Sequence, residues 1–550
     1  MQMQRRTPFI ILVILSHTSF GQIPKWTGLK LFAGYSFDNG VGITVDKKNN
    51  YYLTCNISNA QNIGIDSLHI DCSSSTNPQN NTNDGFLLRY DSSKTLNLVL
   101  RNPLGLIGVS GVDSSGNIYV SGAYNYGASR DGYLIKYSSS GNIIWTKTVQ
   151  SFSTSGSTDD VITSMDILKD GSICICGFSY GTQVSIFGQL ISGPVSFVSK
   201  ATSDGNIIWI NKFSSTLGIG AYRVKFDNNN NVLVAGNERD SLYNYKAVIA
   251  KINGSNGNII WKQTYPSYGL YNPTVRAIGV MSDGYVFGGE YDGQIDIGGN
   301  LLSSKGKTDI FILRCDTSGN LKWVKSGGST ERDLINYIIT TPNDKIIFTG
   351  GYSNDFSLNG ISYTAKGNLD VYVASLDKLG NSLWVKTGGS NIIGHTDDLF
   401  YNEFGSCIAV DSKNQIEVIG TTIGSGNFGT LLFNASEDAR QNVFWLTLGD
   451  KDFNYTVNNP CNNFLPQDTL FNLSISPNPF FNNLVLRNSR NAITNYDLTL
   501  YNSLGQKVKQ IGYTGSSTIT INNWGNLSSG VYYLTIKTPQ LFKTFKLLKK

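Results

Sequence analysis

Charged side chains are scarce in this 550-residue chain: Lys, Arg, Asp and Glu make up 15% of it, against ~25% in an average soluble protein. Disorder needs the opposite balance, high charge with few aromatics, and aromatics here reach 12%, so a disordered chain is excluded. Histidine is nearly missing, with three residues in all. One of them falls in the leader described below, which leaves His69 and His395 in separate loops. Two isolated histidines supply neither a Ser-His-Asp triad nor a zinc site, which wants several His or Cys in register. His395, in Gly394-His-Thr-Asp-Asp398, reads as a solvated loop residue. Stretches of Ala, Leu, Glu and Lys at helical spacing are also lacking, which argues against a helical protein. Glycine, in contrast, is plentiful at 58 residues. The chain reads as all-β, with Gly and Asn in its turns.

The N-terminus carries Arg5 and Arg6, an apolar run from Phe9 to Leu15, and then Ser19-Phe20-Gly21. Basic start, short apolar centre and small residues at the end make a secretory signal peptide over residues 1–21, cut near Gly21–Gln22. The run is far shorter than the ~20 residues of a membrane anchor. The leader accounts for two of the net five positive charges, and residues 473–550 for eight, with nine Lys or Arg against Asp497 alone. Residues 22–472 are left at −5, with no basic stripe, which argues against a nucleic-acid partner.

Two motifs alternate through that acidic body. One is a strand, a tight turn and a second strand ending in a small residue. It runs from Gly42-Ile-Thr-Val-Asp46 to Cys55, recurs as Val109 to Gly122, and ends again at Gly177, Gly236, Gly289, Gly350 and Gly420. The other is exemplified by Asp84-Gly-Phe-Leu-Leu-Arg-Tyr-Asp91 and recurs at Asp131, Val195, Lys246, Thr308, Leu369 and Gln441. Most copies of it lead into a strand bearing Trp145, Trp209, Trp261, Trp323 or Trp384, with Leu98 as a departure. The last copy, 441–449, has no Trp strand after it, while Lys25-Trp26-Thr27 stands unclaimed before the first. Seven four-stranded units closed by the N-terminal segment form a seven-bladed β-propeller over residues 22–450. The Asp-x-x-Gly-Asn turns suit this, because Asp and Asn bond nearby backbone and Gly takes the positive φ. The repeated Trp is expected to fill the wide outer gap between blades, with a sugar platform as the other reading.

The pattern resembles the SBBP-type β-propeller repeats of secreted bacterial proteins, over most of residues 28–449. That resemblance implies the fold and marks no activity. After a linker at 451–472, residues 473–550 read on physics alone as a small β-sandwich with a basic edge, Ig-like in build. They also resemble the type A C-terminal sorting domain of the type IX secretion system of Bacteroidota. Pro477, Asn478 and Pro479, the Gly505 turn, the Leu527-Ser-Ser-Gly530 segment and the closing Lys549 and Lys550 carry the likeness in order. It implies export through the outer membrane by that machinery, then surface attachment or release.

A fixed step back from each repeat's final small residue reaches Asp38, Asp160, Asn272, Asp333 and Glu403, whereas two repeats give Gly105 and Ile219. Such a ring of oxygens before the innermost strands has two readings. It binds calcium or sugar hydroxyls at the channel mouth, or each residue caps a turn and ties neighbouring blades. No other cofactor is indicated. The long connections 56–83, 178–194, 291–307, 352–368 and 421–440 share one face, which marks it as the binding face for a glycan or protein. Tyr265, Tyr268 and Tyr271 crowd one loop there, and Phe400, Tyr401 and Phe404 another. Of seven cysteines, Cys55 and Cys72 bracket the first long loop and are placed to pair; the others read as small buried residues. The expectation is an exported binding, adhesion or scaffold propeller without a catalytic constellation. The competing expectation is a hydrolase or lyase acting on polysaccharide at the channel mouth.

Overall fold

The computed structural model describes residues 23–33, 38–58, 62–65, 68–71, 83–102, 105–126, 129–152, 159–214, 220–239, 244–392, 403–434, 441–449, 473–476, 480, 483–488, 494–502, 507–515, 518–522, 527–537 and 542–549. The leader, the linker, Cys72, His395, Phe400, Tyr401, Cys461, Pro477, Asn478, Pro479, Gly505 and Lys550 lie outside the described residues. Every described element is a β-strand.

The propeller has seven blades. In the first, Asn39–Val45, Tyr51–Ser58, Asn83–Tyr90 and Leu96–Asn102 pair in chain order from the axis outward. The next five repeat this order, their innermost strands being Gly105–Val112, Asp160–Ile167, Ala221–Phe226, Thr274–Val280 and Leu334–Thr340. The seventh takes Phe404–Val410, Ile416–Ile423 and Gln441–Gly449 from one end of the body and Lys25–Ala33 from the other. That N-terminal strand runs antiparallel to Gln441–Gly449, with Trp26 opposite Leu448 and Phe32 opposite Val443.

Strand faces alternate, so each blade offers an apolar face to both neighbours. Seven apolar clusters result, one in each seam between blades. The fifth and sixth blades, for example, share Val286, Ile310, Ile335, Phe348 and Tyr372. Burying one such side chain stabilises by about 1.5–3 kcal/mol. The turns follow their chemistry: Asp377 Oδ1 accepts the amides of Leu379 (2.9 Å) and Asn381 (2.8 Å), and Gly380 takes φ +82°.

The tryptophans bridge seams. Nε1 of Trp209, Trp261 and Trp323 donates to the carbonyls of Gly254, Thr317 and Lys378 in the following blade, at 3.1–3.2 Å. Gly257, Gly319 and Gly380 of those same turns lie against the indole faces, where a Cβ would meet ring atoms at 2.8–3.2 Å. Trp26 departs from this rule. In the sixth blade Trp384 stands opposite Ser375, which stands opposite Ile347. The same rung of the seventh blade is Gly28, Thr447 and Glu417. Trp26 sits on the neighbouring rung and packs edge-on to Phe428 at 5.5 Å, in the seam between the sixth and seventh blades.

Each of the five long connections contributes a two-stranded hairpin from its described residues. Each leaves the second strand of its own blade and lies against the outermost strand of the blade before. Asp355–Leu358 with Ile361–Thr364 joins Leu321–Gly328, and Ser425–Phe428 with Leu431–Asn434 joins Ser382–Ser390. Gln183–Ile186 and Asn62–Ile65 do the same to Ile143–Phe152 and Lys25–Ala33. The fifth, Gln294–Ile297 with Asn300–Ser303, meets the fourth blade through a Ser267–Ile295 bridge. Residues 473–549 form two sheets, of three and four strands, around Phe480, Leu486, Leu498, Leu500, Leu534 and Ile536.

Candidate functional site

The acidic residues before the innermost strands come first. Asp38, Asp160, Asp333 and Glu403 are all buried. Asp160 accepts the Ser151 amide at 2.6 Å. Asp333 accepts the amides of Ser329 (2.6 Å) and Ser353 (3.1 Å). Glu403 accepts the amide and hydroxyl of Ser390 (2.8 and 2.9 Å), the Ile423 amide (3.1 Å) and the Thr422 hydroxyl. Ser151, Ser329 and Ser390 end the outer strand of the preceding blade, whereas Ser353 and Ile423 end the second strand of the same blade. The carboxylates of Asp160, Asp333 and Glu403 are clamps in their seams. Burial, the largest cause, pushes Asp333 and Glu403 up to about 7 and raises Asp160 as well. A second carboxylate adds to each shift: Asp309 for Asp333, Asp370 for Glu403 and Asp131 for Asp160. Asn272 differs from the other four, being exposed. The turn Met281–Gly284 is one residue shorter than its counterparts, so the fixed step overshoots and Pro273 takes the buried place.

The axis of the ring holds a cavity of about 320 Å³ lined by the innermost strands of all seven blades. Every one of those strands carries a bulge near its start, between Gly40 and Gly42, Ile107 and Ser110, Ile162 and Ser164, Ala221 and Arg223, Val275 and Ala277, Ile335 and Tyr337, and Gly405 and Cys407. A bulge re-aims side chains. Here it lets one blade bond the next around the channel: Thr163 Oγ1 donates to Ala221 O (2.9 Å), Arg223 Nε to Arg276 O (2.9 Å), and Asn336 Nδ2 to Gly405 O (3.0 Å). Asp166, Arg223 and Lys225 are the acidic and basic side chains of the lining.

The loop after the fourth blade presents an exposed apolar tip. Tyr268, Leu270 and Tyr271 are 67%, 95% and 62% exposed. The backbone beneath them is held. Buried Asp292 accepts the amides of Leu270 (2.6 Å) and Tyr271 (2.9 Å), and the Tyr268 amide donates to Gln294 O (2.8 Å). Residues 267–273, with Asn244 and Tyr245, line a cavity of about 350 Å³. Tyr265 is not part of this surface: it is 5% exposed and packs in the seam between the fourth and fifth blades. Phe404 is half-buried at the start of its strand.

Sequence reasoning missed Leu270, Asp292, Arg223 and Lys225. Arg223 and Lys225 had a signal, since no other innermost strand carries a cation at the matching positions, where Ser164 and Asp166 or Tyr337 and Ile339 stand instead. Among the described residues no group of three or more His, Cys, Asp or Glu is placed to hold a metal ion. Cys55, Cys174, Cys176, Cys315 and Cys407 are buried thiols.

Residues 474–550 match the family model of the secretion system C-terminal sorting domain. The C-terminal domain is a type IX sorting domain. It directs the chain to the cell surface or the extracellular space. Within it, Gly530 stands at the start of Gly530–Lys537 in extended backbone, and Lys549 is buried with its ammonium 5.9 Å from the Phe480 ring centroid. No helix of the described residues is long and apolar enough to cross a membrane. No curated protein is similar enough to the chain to count as a relative. Solved structures of similar shape include the quinohemoprotein alcohol dehydrogenase of Comamonas testosteroni, at 9% identity over 78% of each chain and a TM-score of 0.38. The polysaccharide lyase Uly1 is 11% identical, over 91% of this chain and 99% of its own, with a TM-score of 0.34. The Trypanosoma rangeli sialidase is 9% identical, over 82% and 86%, with a TM-score of 0.33. Likeness at this level carries nothing about ligand or reaction.

Proposed function

We propose that the exported propeller is a binding module whose contact surface is the loop 267–273 of the long-connection face, and that its ligand is a neutral glycan. The observation behind this is a rigid apolar tip: two exposed phenol rings flank an exposed leucine on a backbone fixed by Asp292. An apolar surface held ready loses little ordering entropy when it binds, and Tyr is the favoured residue at such contacts. The segment Ser267-Tyr-Gly-Leu-Tyr-Asn-Pro273 carries no charge, which suits a ligand that presents C–H faces and hydroxyls. Support for binding over polysaccharide cleavage comes from the paired carboxylates. General acid–base work needs a carboxyl within reach of substrate, and Asp333 and Glu403 face seams with their oxygens on backbone donors. The reading calls on no cofactor and no calcium.

A glycan array probed with the parent protein and with Tyr268→Ala/Tyr271→Ala tests this. The expected result is retention of a subset of neutral glycans by the parent and loss of that signal in the variant. Equal retention by both would remove the loop from the account. Capture of proteins in place of glycans would replace the ligand class.

A further inference from the structure

The axial cavity is a separate feature, and the inference from it goes beyond the glycan reading. We infer that the channel binds one small carboxylate-bearing anion between Arg223 and Lys225. Its lining carries two cations, Arg223 and Lys225, against the single carboxylate of Asp166. The other titratable groups there, Tyr337 and Cys407, are neutral near pH 7, because both are held above their ordinary values. A net positive charge inside a body of net charge −5 is a local attractor for an anion, and low-dielectric walls strengthen it.

Arg223 is held in place. Nε donates to Arg276 O (2.9 Å), one terminal nitrogen donates to Asn336 O (3.2 Å), and the guanidinium lies 5.0 Å from the Tyr337 ring centroid. Three blades thus fix its plane, and the other terminal nitrogen stays available. Asp166 spends Oδ2 on the Phe226 amide at 2.8 Å. It holds the Lys225 ammonium above the usual lysine range, so this side chain stays charged. A carboxylate offers about four lone-pair sites to such donors. The volume, about 320 Å³, sits at the lower end of small-molecule pockets. It admits a molecule of monosaccharide size and excludes a polymer.

Isothermal titration of the full chain with glucuronate, with glucose as the neutral counterpart, tests the inference, and inorganic phosphate separates a carboxylate from any oxyanion. The expected result is saturable binding of glucuronate that weakens with added salt, with no heat from glucose. Arg223→Gln should weaken it about tenfold, the size of one lost charge-assisted hydrogen bond. Lys225→Met is the second variant and carries the test if Arg223→Gln fails to fold. Lys322→Gln, which removes a cation from the outer surface, should leave the affinity unchanged. Three outcomes would overturn the inference: no binding of glucuronate, equal binding of glucose, or unchanged affinity in a folded Lys225→Met protein. Phosphate binding as tight as glucuronate would overturn the carboxylate assignment.

Discussion

Lys94 and Glu417 form an ion pair at 2.7 Å with both side chains 0% exposed, across the seam where the last blade meets the first. The pair stands where a Gly–Trp contact stands elsewhere. Lys94 holds the turn position of Gly257, Gly319 and Gly380 and shares their positive φ, at 62°. Its rung partner in the seventh blade is Gly28 rather than Trp, and Lys94 reaches into the space left. Glu417 also accepts from Trp445 Nε1 (2.8 Å) and Thr447 Oγ1 (2.9 Å), and Trp445 lies 4.8 Å below the ammonium. Removing one member strands a charge in a dry seam. Lys94→Met should therefore cost about 3–5 kcal/mol, and Lys94→Met/Glu417→Leu should recover much of it. Chemical denaturation of the three proteins measures both effects; a double variant no more stable than the single would sink the idea.

The tryptophans give a second expectation. Trp323→Ala opens the seam between the fifth and sixth blades and, because the indole is half-buried, should cost about 3 kcal/mol, the low end for Trp truncations. Trp26→Ala should cost a similar amount through the other side of its blade, where Phe428 and Phe433 lose their partner. Thermal unfolding beside the parent decides it. A silent Trp26→Ala would mean that Lys25–Ala33 is dispensable for the seventh blade.

The seam carboxylates set a pH dependence. Asp333 and Glu403 are pushed up to about 7 in the folded chain, while unfolded carboxylates titrate near ~4. Between those values the folded state holds more protons than the unfolded, so stability is full below pH ~4 and falls as pH rises to ~7. Asp333→Asn/Glu403→Gln should flatten that slope, and denaturant midpoints from pH 5 to pH 8 would show it. An unchanged slope would refute the assignment.

Deleting residues 473–550 removes the sorting domain and leaves the seven seam clusters whole. The shortened chain should fold with the parent's propeller transition but fail to reach the surface. Fractionation with surface protease treatment reads this, and surface display of the truncated chain would contradict it.

Much of this architecture was legible in the sequence because repetition betrays it. Trp145 to Trp384 and the Asp-x-x-Gly-Asn turns report one rung and one turn of most blades. The hairpins were passed over as long connections, although Asn359-Gly360, at φ 50° and 79° between alternating apolar residues, carries a type I′ turn signal. Which blade such a hairpin joins is a matter of tertiary geometry. The Lys94–Glu417 pair was not legible, since it depends on a register that puts Gly28 where Trp was expected. The exposed loop was half legible, with Tyr268 and Tyr271 visible and the Asp292 clamp beneath them hidden by its distance along the chain.

Binding without cleavage is the central claim, and one incubation tests it most directly. The parent protein and the Tyr268→Ala/Tyr271→Ala variant are held with a set of soluble neutral polysaccharides, and both bound fraction and chain length are followed. The account predicts saturable binding of at least one polysaccharide by the parent alone, at unchanged chain length throughout. Shortening of the polysaccharide, with new reducing or unsaturated ends growing in proportion to the protein added, would contradict it.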